Sequence, residues 1–427
     1  MIIRAPKGTQ DILPEEIEKW NYVEKIIKEV ANRFGYKEIR TPIFEYTELF
    51  ARGIGESTDI VTKEMFTFLD RKERSLTLRP EGTAPVVRAY LEQRMDRLSS
   101  VTKLFYLGPM FRSEKPQAGR FRQFHQYGAE IIGTSSAQVD AEIILLCLEI
   151  FRELGLKNLE VLINSVGCKK CRNLYLRELK NSIHQEIDNL CPDCKKRYYK
   201  NPLRILDCKN ISCQSIIKKA PALTQYLCEE CQEHFQEVQK YLRALNIEYR
   251  LDPRLVRGFD YYTKTAFEVI CKEIGAQNAV SGGGRYDYLV EEFGGKPTPA
   301  VGFAAGIERT ILAMQQQMIE WPKEQGIEVF VAKINQEKDL FAFELLQKIR
   351  RAGISAEMDY SFRSLKGQMR LADRLKARYT LILGEEELAR DRILLRNMQT
   401  KEQKEVEIKK IINELKISLT NSKICNQ

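Results

Sequence analysis

Residues 104–130 read LFYLGPMFRSEKPQAGRFRQFHQYGAE, and the fold turns on this stretch. Leu104 and Tyr106 alternate toward Gly108-Pro109, which predicts a strand running into a break. Met110 and Phe111 restart a short strand that ends at Arg112. SEKPQAG is then a polar, turn-rich loop. The chain returns through Arg120, Phe121, Arg122, Phe124 and Gln126, aromatic and polar residues alternating as in a second strand. The whole is a β-hairpin with a long loop, its arginines turned away from its aromatic face. Guanidinium binds phosphates and carboxylates bidentately, so arginines at the strand ends and loop base suit a polyphosphate or a carboxylate. The same charges suit an edge hairpin that resists aggregation, and charge pattern alone leaves both readings open.

The order of residues is more specific. The string FRSEKPQAGRFRQFHQYGAE closely resembles motif 2 of class II aminoacyl-tRNA synthetases, in the form found in histidyl-tRNA synthetases. Arg112, the loop, Arg120, Gln126 and Glu130 all fall in place. Other strings extend the resemblance along nearly the whole chain. YKEIRTPIFEYTELF (36–50) resembles motif 1, the family's dimer interface; by pattern it is a strand interrupted at Pro42, which signals an edge or bulge. RPEGTAPVVRAYL (79–91) places Glu81, Gly82 and Thr83 at a helix start, where a carboxylate and a hydroxyl serve as caps. RGFDYYT (257–263) resembles the histidine-specific motif, and its Arg257, Asp260, Tyr261 and Tyr262 are costly to bury without partners. VSGGGRYDYL (280–289) resembles the second such motif, which lines the amino-acid pocket. Its glycines permit close backbone approach to a ligand, and it lacks the Gly-Lys-Ser/Thr ending of a P-loop. PAVGFAAGIERTIL (299–312) resembles motif 3, with Arg309 one turn into a helix.

Length and composition bound the rest. A chain of 427 residues, 43% apolar and 30% charged, reads as a soluble globular protein of two or three domains. No apolar run approaches the ~20 residues that span a bilayer, and the N-terminus MIIRAPKGTQ lacks a signal-like apolar region. The expected location is the cytoplasm, with no membrane partner. A net charge of +9, from 68 basic and 59 acidic residues, permits a nucleic-acid partner without demanding one.

Helical spacing of Ile17, Trp20, Val23, Ile27, Val30 and Phe34 predicts a helix over 14–34. Strands are expected at 65–68 and 76–78, a helix at 138–154 and a strand at 159–163. Residues 165–240 change character to Lys- and Glu-rich helix and read as an insertion. Residues 315–325 read as a linker. Beyond it, strands at 327–332, 355–358 and 379–383 alternate with helices at 339–351 and 365–377, the pattern of a small α/β domain. Lys366, Arg370, Arg374 and Arg378 share one helix face, read as solvated. The unit ending YTLILGEEEL resembles the anticodon-binding domain of class II synthetases for histidine, threonine, proline and glycine. From 401 on, a strand and a last helix are expected.

The resemblance implies an α+β fold. A class II antiparallel-sheet catalytic domain would occupy residues 1–325, with a helical insertion at about 165–240, and a C-terminal α/β anticodon-binding domain residues 326–427. It implies ATP-dependent ligation of L-histidine to tRNA(His) through a histidyl-adenylate, by a homodimer using Mg²⁺. Arg112 and Arg257 would flank the α-phosphate and Arg309 would meet the γ-phosphate, with Arg120 also on ATP. Glu81, Gly82, Thr83 and Gln126 would hold the ammonium end of histidine. Glu130 and Tyr262 would meet the two imidazole nitrogens, with Tyr261 beside them. The alternative is a catalytically inactive paralogue, the regulatory subunit of ATP phosphoribosyltransferase. Such paralogues lose the histidine-specific strings and usually the anticodon-binding domain, both kept here.

Eight of the eleven cysteines crowd between 168 and 231. Cys168 and Cys171, Cys191 and Cys194, and Cys228 and Cys231 form Cys-x2-Cys pairs, and Cys208 with Cys213 a looser fourth. In a reducing compartment this pairing points to structural zinc rather than disulfides. Four pairs suit two ions, or one ion with some pairs unused. Free thiols three residues apart on helices are the other reading.

Overall fold

Alternation along the hairpin strands builds the main sheet. The computed structural model describes residues 3–55, 58–115, 119–275, 278–322, 326–334, 339–361 and 363–424. The tip of the expected hairpin loop (116–118) and the end of the expected linker (323–325) lie outside the described residues. The strands, in chain order, are β1 (Lys37–Glu38), β2 (Phe44–Tyr46), β3 (Phe66–Leu69), β4 (Ser75–Leu78), β5 (Thr102–Phe111), β6 (Gln123–Ile132), β7 (Leu159–Ser165), β8 (Arg250–Leu251), β9 (Thr263–Cys271), β10 (Ala279–Arg285), β11 (Ala300–Gly306), β12 (Val329–Lys333), β13 (Ala356–Met358), β14 (Tyr379–Leu383), β15 (Arg392–Asn397) and β16 (Gln403–Glu407). The chain divides into two units, Met1–Pro322 and Lys323–Gln427.

The first unit holds an eight-stranded sheet in the order β1-β5-β6-β11-β10-β9-β7-β8. Its six central strands pair antiparallel, and β1 and β8 add parallel at the edges. Successive side chains point to opposite faces. Phe105, Tyr127, Ala129 and Ile131 turn to one face and pack with Trp20, Val23 and Ile27 of the helix Pro14–Arg33 and with Ile143, Ile144 and Cys147 of the helix Ala137–Glu153. Burying each large apolar side chain there stabilises the fold by roughly 1.5–3 kcal/mol. Leu104, Tyr106 and Met110 turn to the other face, where the cavity lies. Pro14 at the start and Glu15 and Glu16 in the first turn favour the first helix, and Gly35, at φ 82°, follows its end.

Two local expectations are corrected, and one strand lies where none was expected. The break expected at Gly108-Pro109 is absent, and β5 runs through it. β1 pairs only with Leu104 and Phe105, so Pro109 sits on an edge where no ladder N–H is missed. The Pro109 carbonyl accepts from Arg79 Nε at 2.9 Å. The strand expected across Pro42 is instead two: β1 joins the large sheet, and β2 joins a small sheet ordered β2-β4-β3. In the second unit the alternating RILLRN forms β15, which the acidic cluster before it conceals in the sequence.

Between β7 and β8 the chain runs through the helices Lys169–Ile183, Pro192–Lys200, Ile211–Ile217 and Glu229–Ala244. The second unit is a mixed sheet, β13-β12-β14-β15-β16, parallel among its first three strands and antiparallel after. One face packs on the helix Asp339–Arg351 through Ala342, Leu345 and Ile349, the other on the helix Leu365–Arg374 through Met369 and Ala372. Among the described residues no helix is long and apolar enough to cross a membrane.

Candidate active site

Sheet parity decides which side chains reach the cavity. Across the sheet, Glu268, Gly282, Ala304 and Gly128 align in one row, and Ala266, Gly284, Gly302 and Glu130 in the next. Small residues therefore pave the floor of a cavity of about 670 Å³, a size that suits small-molecule ligands. Arg112 and Arg120 from the hairpin, Gln126 from β6, Arg309 from the helix Ile307–Gln316, and Glu81, Thr83, Arg257, Tyr261 and Tyr262 line it.

Arg257 lies on the floor itself. A Cβ on Gly282 would fall 2.1 Å from its Nη2, so that glycine makes room for the guanidinium. Arg257 Nη1 donates to Glu268 Oε1 at 2.5 Å, while its buried Nε has no hydrogen-bond partner among the described residues. Arg112 Nε donates to the Pro80 carbonyl at 2.9 Å, and its guanidinium stacks over Phe124 and Phe259. Arg120 pairs with Glu114 at 2.9 Å. Burial and the neighbouring Arg120 hold the Arg309 guanidinium below its usual range. Such crowding of cations in a cleft fits a polyanion.

Another part of the lining is polar and backed by carboxylates. Glu81 accepts from the Thr83 and Ala84 backbone N–H groups at 2.6 and 2.8 Å, so it caps the helix Thr83–Glu92 and lines the cavity at once. Burial pushes its carboxyl up, against those two N–H groups. Gln126 Oε1 is buried and has no partner among the described residues. Glu130 is fully buried and does not line the cavity: Thr83 Oγ1 donates to it at 2.8 Å and the Tyr286 hydroxyl at 2.5 Å. Burial pushes its carboxyl up to about 8. Gly82 also stands behind the wall, where a Cβ would strike the Tyr106 ring at 2.3 Å.

The glycine-rich strand divides its residues between faces. Gly282 and Tyr286 reach the cavity, but Arg285 turns into the core. There it pairs with Asp140 at 2.7 Å, both fully buried, and donates to the Thr134 and Ser136 carbonyls. Sequence reasoning missed Tyr286 and Glu268 as cavity residues. A glutamate within the apolar strand TKTAFEVIC was the available signal, since a buried carboxylate requires a partner. The insertion also contributes unexpectedly: Leu206, Asp207, Lys209 and Gln214 line the cavity. Its eight cysteines are gathered into two groups of four, Cys168, Cys171, Cys228 and Cys231, and Cys191, Cys194, Cys208 and Cys213.

An antiparallel sheet with an arginine-bearing hairpin and a helix-start arginine around one cleft, joined to a C-terminal mixed α/β unit, is the architecture of a class II aminoacyl-tRNA synthetase. Comparison with known proteins narrows this. The family model described as histidyl-tRNA synthetase matches residues 8–310, and that of the anticodon binding domain matches 328–417. The histidine–tRNA ligase of Caldanaerobacter subterraneus subsp. tengcongensis is 52% identical over 416 residues, 97% of this chain and 100% of that one. The apo crystal structure of S. aureus histidyl-tRNA synthetase is 40% identical, covers 97% of this chain and 100% of that chain, and superposes with a TM-score of 0.82. A Bacillus halodurans structure described as an ATP phosphoribosyltransferase regulatory subunit/histidyl-tRNA synthetase, 21% identical over 88% of this chain and 97% of its own, has a TM-score of 0.64 and shares the fold. The chain belongs to the histidyl-tRNA synthetase family.

Proposed function

We propose that this chain ligates L-histidine to tRNA(His) in two steps on one cavity. The histidine carboxylate attacks the α-phosphate of ATP, forming histidyl-adenylate and releasing pyrophosphate. The terminal adenosine hydroxyl of the tRNA then attacks the adenylate carbonyl, and AMP leaves. The first step brings an anion to a polyanion, so fixed cations must offset the repulsion. Arg112 and Arg257 both line the cavity and would flank the α-phosphate. Arg309 and Arg120 would take the outer phosphates. The observation that carries this reading is the convergence of four arginines from three separate segments on one cleft, with Gln126 Oε1 and Arg257 Nε both buried without partners among the described residues.

Histidine selection falls to the polar part of the lining. Glu81, Thr83 and Gln126 would hold the ammonium group, with Gly82 leaving room for the wall behind. The Tyr262 hydroxyl would meet one ring nitrogen and Tyr261 would pack beside it. Glu130, which keeps its proton up to a pH of about 8 and lies behind the lining, would orient the Thr83 and Tyr286 hydroxyls rather than meet the ring itself. Mg²⁺ prefers oxygen ligands and water. Glu114 and Glu268 are carboxylates of the lining that suit it alongside the phosphates, where it would neutralise developing charge. The two four-thiol groups suit structural zinc, outside the reaction.

The second unit would bind the anticodon arm, leaving residues 1–322 to the chemistry. The working form would be a cytoplasmic homodimer. Phe44, Tyr46, Phe68 and Leu69 of the small sheet are between 44% and 65% exposed, an apolar patch that a second copy would cover. The regulatory alternative is weaker, because the arginines, the histidine-specific strings and the C-terminal unit are all retained. ATP–pyrophosphate exchange measured with each amino acid tests the reading. Exchange with histidine alone, lost by orders of magnitude in Arg257→Ala, is expected; exchange with no amino acid refutes it.

A further inference from the structure

The cysteine-rich segment is built as two nested clusters, and residues beside them bond the loop carrying Arg257. In each group the four Sγ atoms lie within 4.8 Å of one another. Individual separations are 3.6 Å for Cys168–Cys171, 3.9 Å for Cys168–Cys228 and 3.8 Å for Cys191–Cys208. Four sulfurs at about 2.3 Å from a tetrahedral zinc ion stand about 3.8 Å apart along each edge. The grouping is not sequential: the first cluster joins the two ends of the segment, and the second closes within it.

Local structure prepares these sulfurs for a cation. Cys168, Cys191 and Cys228 each occupy the N-cap of a helix with extended backbone, and their partners Cys171, Cys194 and Cys231 are each the third helical residue. Backbone N–H groups point at sulfur: Cys228 N to Cys171 Sγ at 3.0 Å, Cys191 N to Cys213 Sγ at 3.2 Å, and Asn210 N to Cys208 Sγ at 3.4 Å. Helix N-termini and N–H donors favour thiolate, the form that binds metal.

Both clusters adjoin the residues that hold the loop 257–262. Arg172, next to Cys171, donates to the Asp260 carbonyl at 3.1 Å and also to the Tyr262 carbonyl. From the second cluster's side, Asn201 Nδ2 donates to Asp260 Oδ1 at 2.8 Å and Arg204 Nη1 to the Arg257 carbonyl at 3.0 Å. Cys208 itself borders the cavity. We propose that the segment binds two structural zinc ions, one on Cys168, Cys171, Cys228 and Cys231 and one on Cys191, Cys194, Cys208 and Cys213, and that together they fix the loop bearing Arg257. Arg172, Asn201 and Arg204 are positioning residues in this arrangement. The coupling to Arg257 rests on the proposed adenylation reaction; the ligand sets do not.

The test uses the full chain purified without chelator. Elemental analysis should find two zinc equivalents per chain, and Cys194→Ser and Cys231→Ser should each lose one. Cobalt exchanged into the wild-type chain should give the visible bands of tetrahedral thiolate coordination, a readout that does not depend on a variant folding. Under half an equivalent of zinc with all eight thiols reacting freely, or disulfides within either group, overturns the metal sites. Stripping zinc with a chelator, then removing the chelator and assaying with Mg²⁺ in excess, should lower histidine-dependent exchange at saturating substrates at least tenfold, with zinc restoring it. Arg204→Ala should keep both ions and lose about tenfold in kcat, with Arg204→Lys recovering part. Full exchange in the metal-free chain, or in Arg204→Ala, overturns the coupling. A chain that binds two zinc ions yet exchanges with no amino acid refutes the proposed reaction and upholds the ligand sets.

Discussion

Replacing Gly282 by alanine isolates the placement of one guanidinium from its presence. A Cβ at that position would stand 2.1 Å from Arg257 Nη2, 2.2 Å from Cζ and 2.5 Å from Nη1. Comfortable contact needs about 3.5 Å, so the guanidinium must move by more than ~1 Å. Gly282 does not have a positive φ, so alanine strains no backbone. The side chain has open cavity to swing into, and the stability cost should stay near ~1 kcal/mol. The displaced group leaves Glu268, which it now meets at 2.5 Å. A misplacement of about 1 Å at a reacting centre costs on the order of 10²-fold in rate, or about 2.7 kcal/mol of barrier. The expected result is histidine-dependent exchange with kcat down about 10²-fold and a melting transition almost unmoved. Combining Gly282→Ala with Arg257→Ala should cost little beyond Arg257→Ala alone, because both remove the same interaction. Exchange within about threefold of wild type in Gly282→Ala refutes the assignment of Arg257 and its glycine bed.

Glu130 makes the first unit pH-sensitive. Its folded pKa of about 8 exceeds the 4.5 of a free glutamate, so the native state holds the extra proton, and stability falls as pH rises from 4.5 to about 8. At about 1.4 kcal/mol per tenfold in proton affinity the swing is at most ~5 kcal/mol; Glu130→Gln should flatten it in denaturant melts, and an unchanged slope would count against the burial argument. Asp140→Asn leaves buried Arg285 with Asp287, 3.1 Å away, as its remaining carboxylate partner and should cost about 3 kcal/mol in the same melts, with a loss under ~1 kcal/mol refuting the weight given to the buried pair. Glu268→Gln should lower exchange about tenfold by freeing Arg257 to wander; a rate above wild type would show that charge outweighs orientation. Sedimentation at micromolar concentration should give a two-chain species that Phe68→Asp dissociates, and monomer alone in the wild type rules the dimer out.

Local signals were legible where one segment carries its own reason. The helix Pro14–Arg33 follows from apolar spacing plus Pro14 and Gly35, and β14 from a continuous apolar run. Pairings were not legible. Nothing near Pro109 says that β1 stops opposite Phe105 and leaves an edge there. Nothing near Pro42 says that the two flanks join different sheets. At the site, the sequence strings named the arginines but not their support: Gly282 serves Arg257 rather than a ligand directly, and Arg285, three residues on, faces the opposite side of the sheet. The contribution of Leu206, Asp207 and Gln214 to the cavity depends on how the cysteine clusters fold the segment back, which no local pattern encodes.

The pairing of Arg257 with Glu268 poses a question of magnitude, since a carboxylate beside a cation proposed to act on the substrate takes away part of its field. Two unit charges 4 Å apart exchange about 4 kcal/mol at the effective dielectric of a protein surface. A third charge removed from the far side of the guanidinium changes the substrate's energy by a fraction of that. It acts on the bound ground state as well as on the transition state, so only a part appears in the rate. Losing orientation acts on the barrier alone. Arg257 touches a floor of glycine, and among the described residues Glu268 and the bed at Gly282 are contacts that define where Nη1 and Nη2 lie. A guanidinium free to adopt several rotamers must pay up to ~2 kcal/mol in side-chain entropy at each turnover. Orientation therefore outweighs charge at this position. The glycine beneath, the carboxylate beside and the Arg204 hydrogen bond to the backbone of Arg257 all serve that one end.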